Sequence, residues 1–551
     1  MKRWTRGTTP ALFVVASLVA LAVSGPDRLR ADPGYVVAAP DRGFLGNEEV
    51  RDAVADLREV YPATELWVVT SERTEEHLRS AVERLRAREG IDRVVVLPLF
   101  MSEGHAMYGA ARRAADSVLG EGARWAEPLG SSYLAEEILF DRVGALSSKP
   151  DEERLLVVGA GAGSAEAARA VREALTPVAE RATRKFGLAG SPVVETLYHG
   201  SAPDSLQARG HERVVERARE ITEAGETPLV VPFGLARRYT TMMSDWRWLA
   251  GGLAQAGASY REIPVLPHEN VGHWLRKAAT RHRELRPDEI GVVLVPHGAD
   301  FNWNETMRAG IEPLRDEYMT EDAFSMVDPV VVERAVGRLE ARGAKAAVVV
   351  RIFSLESSFR EKAEYILGLR RDYDHFPTRI RSPLEFHTLG GMEATPHLAA
   401  GLADRVRTLS EDPSRETVIL LGHGAGPDSA NAHWIDNLHR IADGVEERTN
   451  GEFRDYRVHT WREDWPEKRD ASVTEIRRLV RDASEGDGIA LVVPQRTVGQ
   501  GPAREYLDGL DYRYGEGLAP HPEFTAWLRA TIEQGIEAVA DSGPPSATVP
   551  D

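Results

Sequence analysis

The 551-residue chain contains no cysteine. That absence excludes disulfides, zinc–thiolate and iron–sulfur centres, thiol nucleophiles and a lipoprotein-type anchor. Positive charge is also short, with 68 Lys and Arg against 86 Asp and Glu. The resulting net charge of −18 would repel a phosphate backbone or an anionic membrane surface, so nucleic acid is not an expected partner. Long hydrophobic runs are missing apart from residues 11–23. Lys2, Arg3 and Arg6 precede that run, and Ala22, Ser24 and Gly25 close it. The run is short for a membrane span and has the layout of a secretory signal over residues 1–31. Cleavage fits after Ser24 or after Ala31, and retention as an uncleaved N-terminal anchor is the alternative. The expected location is therefore exported, periplasmic or extracellular, with no transmembrane helix once the signal is removed. A cysteine-free chain suits such an oxidising space.

What remains is too long for one core and predicts three to five domains. One stretch organises it: Val418-Ile-Leu-Leu-Gly-His423-Gly-Ala-Gly, followed by an amphipathic pattern from about Ala430. A β-branched apolar run ending in a Gly-rich turn before a helix reads as a buried parallel strand with its ligand-facing edge at the turn. Three other stretches echo it. They are Val292-Val-Leu-Val-Pro-His297-Gly, Leu155-Leu-Val-Val-Gly-Ala160-Gly, and Tyr35-Val-Val-Ala-Ala-Pro40-Asp-Arg-Gly. Of the four, two carry His at the corresponding place, one carries Ala160, and one carries Pro40 or Asp41 according to the alignment.

The repeat continues beyond the turn. Each pass adds a helix, a second strand, a charged helix, a very apolar third strand such as Val94-Val-Val-Leu-Pro-Leu-Phe100, and a closing helix. Alternating strands and helices predict α/β modules, each a parallel sheet flanked by helices. The boundaries read as residues 34–146, 154–282, 287–408 and 415–541, with polar linkers between them. A Pro- and Ser-rich tail, residues 542–551, is predicted to be disordered.

A strand ending Gly-His-Gly, a third strand ending Pro-Leu-Phe with a His beyond it, and a Pro-His before the last helix together resemble the class II tetrapyrrole chelatases, the sirohydrochlorin cobalt-chelatases and ferrochelatases. The resemblance runs four times over nearly the whole mature chain. Family members have one module acting as a dimer, or two fused. Four modules therefore imply two pseudo-twofold pairs, 34–282 and 287–541, in a monomer with internal pseudo-dimers. The resemblance implies insertion of a divalent metal, cobalt or iron, into a sirohydrochlorin-type macrocycle. Neutral imidazoles suit first-row metals, and a base must take the pyrrole protons. The alternative is a non-catalytic carrier or scavenger of metal or tetrapyrrole derived from chelatases.

Carried over by residue, His297 and His423 match the first family histidine and His105 matches the second, so these three are the candidate metal ligands and catalytic residues. His105 lies one residue closer to its proline than the usual pattern. Near that place the other modules have Arg238-Tyr239-Thr240, Ser357-Ser358-Phe359 and Gln500-Gly501-Pro502. No module holds both histidines, so a metal pair could be rebuilt only across modules. Gly298, Gly422 and Gly424 leave room for a ligand, and Arg238 and Arg496 could pair with tetrapyrrole carboxylates. Glu72, Asp328, Glu463 and Asp464 follow second strands and are general-base candidates by location. His268, His397 and His521 read as helix-start residues, and His433 and His439 as surface residues. Gly159–Gly163 looks like a dinucleotide loop, but no acidic strand end follows where one is needed, and the repeat accounts for its glycines.

Overall fold

The computed structural model describes residues 32–70, 72–120, 123–236 and 246–541. Residues 1–31, expected from the sequence to be a signal segment, the tail 542–551 and Arg238 lie outside the described residues. Within them the same eight-element path recurs four times. The first module comprises β1 (Gly34–Pro40), α1 (Gly43–Val60), β2 (Thr64–Val69), α2 (Thr74–Arg86), β3 (Val94–Pro98), α3 (Tyr108–Leu119), β4 (Arg124–Trp125) and α4 (Tyr133–Leu146). The second comprises β5 (Glu153–Ala162), α5 (Ala165–Phe186), β6 (Val193–Tyr198), α6 (Asp204–Glu223), β7 (Thr227–Phe233), α7 (Arg247–Gln255), β8 (Ser259–Tyr260) and α8 (Glu269–Thr280). In the third these are β9 (Ile290–Pro296), α9 (Phe301–Ile311), β10 (Met319–Asp322), α10 (Pro329–Ala341), β11 (Ala346–Ile352), α11 (Arg360–Ile366), β12 (Glu385–Gly390) and α12 (Pro396–Leu409). The fourth has β13 (Glu416–Gly422), α13 (Asp428–Arg448), β14 (Asp455–Thr460), α14 (Pro466–Ala483), β15 (Ile489–Pro494), α15 (Ala503–Tyr506), β16 (Arg513–Tyr514) and α16 (Pro522–Asp541).

Each sheet is parallel, with its first strand second from one edge; the opening sheet runs β2-β1-β3-β4 and the other three follow the same order. Central strands such as β1, β9 and β13 are buried along their whole length, as the β-branched runs require when helices cover both faces. Two parts of the module differ from the sequence reading, which had six elements. A short fourth strand joins each sheet edge, and a helix precedes it. The fourth strand is only two residues long in β4, β8 and β16, too short to leave an alternating pattern.

The pairing lies in the cores. One apolar cluster joins residues of the first and second modules, including Val37, Leu139, Val157 and Leu275. A second joins the third and fourth through Leu294, Leu402, Leu420 and Leu528. The closing helices α4 and α8 pack together in one pair, and α12 and α16 in the other. Helix α4 is buried nearly all round, as a helix enclosed on every side must be. A polar contact repeated in both pairs marks their equivalence. His268 Nε2 lies 3.1 Å from Asp141 on α4, and His521 Nε2 lies 3.7 Å from Asp404 at the matching place on α12. The Nδ1 of each accepts a backbone N–H of its own first helical turn, from Asn270 and Glu523, which bears out the helix-start reading.

The polar linkers are tied down rather than loose. Glu153 accepts from Ser147, Ser148 and Lys149, and Glu416 from Glu411, Asp412 and Ser410. Glu289 takes both nitrogens of buried Arg283 at 2.9 and 3.1 Å. These segments are polar because they wrap a buried carboxylate.

The two pairs meet through residues 367–384 of the third module. There Arg379, with no exposed surface, bonds Glu137 at 2.6 Å and pairs with Glu136 at 3.1 Å. Arg381 forks onto Asp141 with two contacts of 2.6 Å. Tyr133 donates to the Ile380 carbonyl at 2.9 Å.

Candidate functional site

The turn after the first strand is built alike in three modules. An Asn on the following helix accepts a turn N–H: Asn47 from Arg42 at 2.9 Å, Asn304 from Ala299 at 3.0 Å, and Asn431 from Ala425 at 3.1 Å. In the last two modules the residue after the histidine, Gly298 or Gly424, has φ of +77° and +84°, where glycine is favoured. A Cβ on Gly424 would also stand 2.8 Å from Thr460. Both turns orient the histidine in the same way. His297 Nδ1 lies 2.7 Å from the Gly298 carbonyl, and His423 Nδ1 lies 3.0 Å from the Gly424 carbonyl. A carbonyl only accepts, so Nδ1 carries the proton and Nε2 is left to face outward.

These two histidines, from different modules, line one cleft of about 600 Å³. Its walls are aromatic: Trp303, Phe353, Phe359, Trp434 and Trp465. The His423 ring stacks on Trp434 with centroids 5.9 Å apart and meets Trp465 edge-on at 6.1 Å. His297 meets Phe353 edge-on at 6.1 Å. Gly422 has no side chain because Trp434 occupies that space; a Cβ there would stand 2.6 Å from the indole nitrogen. Gly426 likewise makes room for Trp465. Arg462 holds the loop beneath it by bonding the Ala425 carbonyl and Asp428, both at 2.8 Å.

Charged side chains in the cleft are few. Asp464 Oδ2 lies 3.4 Å from His423 Nε2. Glu463 is paired with Arg496, whose guanidinium is pushed below its ordinary value by burial. The register places Arg496 beside His423 and Phe353 beside His297, so one module supplies a cation where its mate supplies a ring. Among the described residues no three His, Asp or Glu side chains are grouped to hold a metal ion.

The remaining sequence-predicted residues fall elsewhere. His105 is buried and belongs to the interface of the first two modules. Its backbone bridges Ala162, its ring lies 5.4 Å from that of His199, and its Nδ1 accepts from Met107 at 3.1 Å. It presses on Gly161 so closely that a Cβ there would be 2.1 Å from its ring carbon. It is thus not brought together with His297 and His423. In the first module β1 ends at Pro40 as β9 ends at Pro296, which makes Asp41 the counterpart of His297. Asp41 accepts from Gly43 and Asn47 and serves its turn. Asp328 caps α10 by accepting from Val330 and Val331, and Glu72 is exposed. His433 is exposed as well, 4.0 Å from Glu393. Between the described residues around Ala160 only a void of about 30 Å³ remains, little more than the volume of one water.

The sequence reading missed the five aromatic residues of the cleft and the Asn staples. The staples follow the strand ends by slightly different offsets, so only an alignment of all four turns would have exposed them.

Four parallel α/β modules, with histidines at the strand ends of the last two, are the fold that the resemblance to the chelatases implies. The family model for CbiX matches residues 44–146, so the first module is similar to that family. A solved structure from Deinococcus radiodurans is described as a multi-domain protein with structural similarity to chelatases and two additional novel domains. It is 20% identical with a TM-score of 0.33, and the match covers 45% of this chain and 55% of that one, about half of each. No curated protein sequence matches the chain. Among the described residues no helix is long and apolar enough to cross a membrane.

Proposed function

We propose that the cleft of the C-terminal pair binds a planar tetrapyrrole together with a divalent first-row metal, cobalt or iron, as the substrates of a chelatase. The observation that carries this reading is the convergence of His297 and His423 on one aromatic cleft, each with Nδ1 held by a carbonyl and Nε2 left for a ligand. A volume of about 600 Å³ falls in the ordinary range for small-molecule sites, roughly 300–1,000 Å³. The rings offer flat faces to a macrocycle. Insertion must release two pyrrole protons; Asp464, the carboxylate beside His423, can accept one, and the other passes to the water at the open mouth of the cleft.

A carrier that binds without inserting is the second reading. It is favoured by Phe359, which lines the cleft in the stretch where the family's second histidine would stand. Anaerobic incubation with cobalt(II) and a free-base tetrapyrrole separates the two. Metallation faster than in buffer, followed by loss of the free-base absorption bands, is the chelatase outcome; binding of both at the buffer rate is the carrier outcome. Absence of binding to either ligand removes both readings. Export is a further part of the proposal, motivated by residues 1–31, and a reporter fused after Asp32 is expected outside the cytosol.

A further inference from the structure

We infer that the macrocycle suited to this cleft is amphipathic, with few carboxylates gathered on one edge, rather than one with carboxylates around its whole rim. The inference rests on the proposed tetrapyrrole site and narrows its ligand. Three charged side chains line the cleft: Glu463, Asp464 and Arg496. The only cation of the three is already paired with Glu463, and Asp464 remains beside His423. The lining is therefore net negative, inside a chain of net charge −18. At the position matching Arg496 the facing module presents Phe353 instead, so no second cation is supplied by symmetry.

The geometry of the ligand makes this decisive. A macrocycle with eight carboxylates bears them on every edge, and no orientation in a cleft between two modules keeps all of them in water. Each carboxylate that enters meets aromatic walls and a negative lining, and an unpaired buried charge is strongly disfavoured. A macrocycle with two carboxylates on one edge can bury its apolar body against Trp434, Trp465, Trp303, Phe353 and Phe359 and leave both acids outside. The inference thus departs from the sirohydrochlorin-type ligand that the sequence resemblance implies.

The test uses the whole chain titrated with three free-base porphyrins, deuteroporphyrin with two carboxylates, coproporphyrin with four and uroporphyrin with eight, followed by tryptophan quenching and the porphyrin absorption band. Affinity is expected to fall in that order, with uroporphyrin at least tenfold weaker than deuteroporphyrin at 0.1 M salt. Raising the salt should strengthen uroporphyrin binding, because screening weakens like-charge repulsion. Glu463→Gln, which releases Arg496, should narrow the gap between the ligands. Trp434→Ala should weaken deuteroporphyrin several-fold; unchanged affinity would place the ligand elsewhere and overturn the inference. Uroporphyrin binding as tightly as deuteroporphyrin overturns it too, while leaving the tetrapyrrole site intact. If none of the three porphyrins binds, the site reading itself fails and the inference with it.

Discussion

Where the C-terminal pair has His297 and His423 over an open aromatic cleft, the N-terminal pair has Asp41 and Ala160, with little open space between the described residues there. The sheets, the closing helices and the His–carboxylate contacts between those helices are the same in both. The difference lies in what fills the strand ends. In the N-terminal pair, Arg42 reaches across to the Ala236 carbonyl at 3.1 Å, and His105 fits against Gly161. Side chains of one module thus occupy the space that its partner leaves, and the junction serves packing. In the C-terminal pair Trp434 and Trp465 stand back against Gly422 and Gly426, and the space stays open. Among the described residues one fold therefore yields a packed half and a half with an open cleft, according to a handful of residues at the strand ends.

The sharpest way to break the comparison is at the junction between the halves. Arg379→Met removes the cation that two buried carboxylates, Glu136 and Glu137, share. Glu136 keeps Arg181 and Arg371 and Glu137 keeps Arg381, so the loss should fall at the low end of the roughly 3–5 kcal/mol that breaking a buried pair costs, and the urea midpoint should fall with it. If it does not, the halves are energetically independent.

A pH series probes the same junction. Burial pushes Lys277 down to about 8, where it bonds the Leu384 carbonyl and lies 4.4 Å from the Phe386 ring centre. The unfolded chain keeps this proton to about pH 10.4. Between those values the unfolded state binds more protons, so stability should rise with pH; below pH 8 the penalty is present in full. A shift of this size corresponds to roughly 3 kcal/mol. Lys277→Met should abolish the rise between pH 8 and 10 in denaturant titrations, and a rise that persists would assign it to other groups.

The histidines sharpen the contrast directly. His105→Ala should lower stability by about 2 kcal/mol, as expected for a truncated core side chain, and leave cobalt(II) and porphyrin binding unchanged. The smallest effect is the most specific. His423→Ala and His297→Ala should each weaken cobalt(II) or iron(II) binding about tenfold, or about 1.4 kcal/mol, with a nearly unchanged Tm. Calorimetric titration of the two single variants and of H297A/H423A decides it. Unaltered affinity in the double variant would mean that neither histidine holds the metal and would end the comparison.

Much of the fold is legible in local pattern. Runs such as Val292–Val295 are β-branched because the strand is buried on both faces, and Gly298 and Gly424 follow because the turn needs a positive φ. The edge strands Arg124–Trp125 and Arg513–Tyr514 carry no such pattern, since two residues cannot display a period. Residues 281–289 look like a tether by composition, yet Arg283 and Glu289 are polar in order to satisfy each other in a buried junction. Limited proteolysis at that segment is accordingly expected to be slow.

The sequence by itself determined four repeats of one α/β module and the place of each histidine beyond a strand end. Both follow from interactions within ten or so neighbouring residues, which spacing records. Only the tertiary structure decided which histidines meet. His297 and His423 lie in separate modules and converge because the pseudo-twofold axis brings equivalent turns to one cleft. His105 is withdrawn because Gly161, in another module, leaves a space of its shape. Contacts between modules depend on how whole sheets dock through their buried helices, and no local period encodes that.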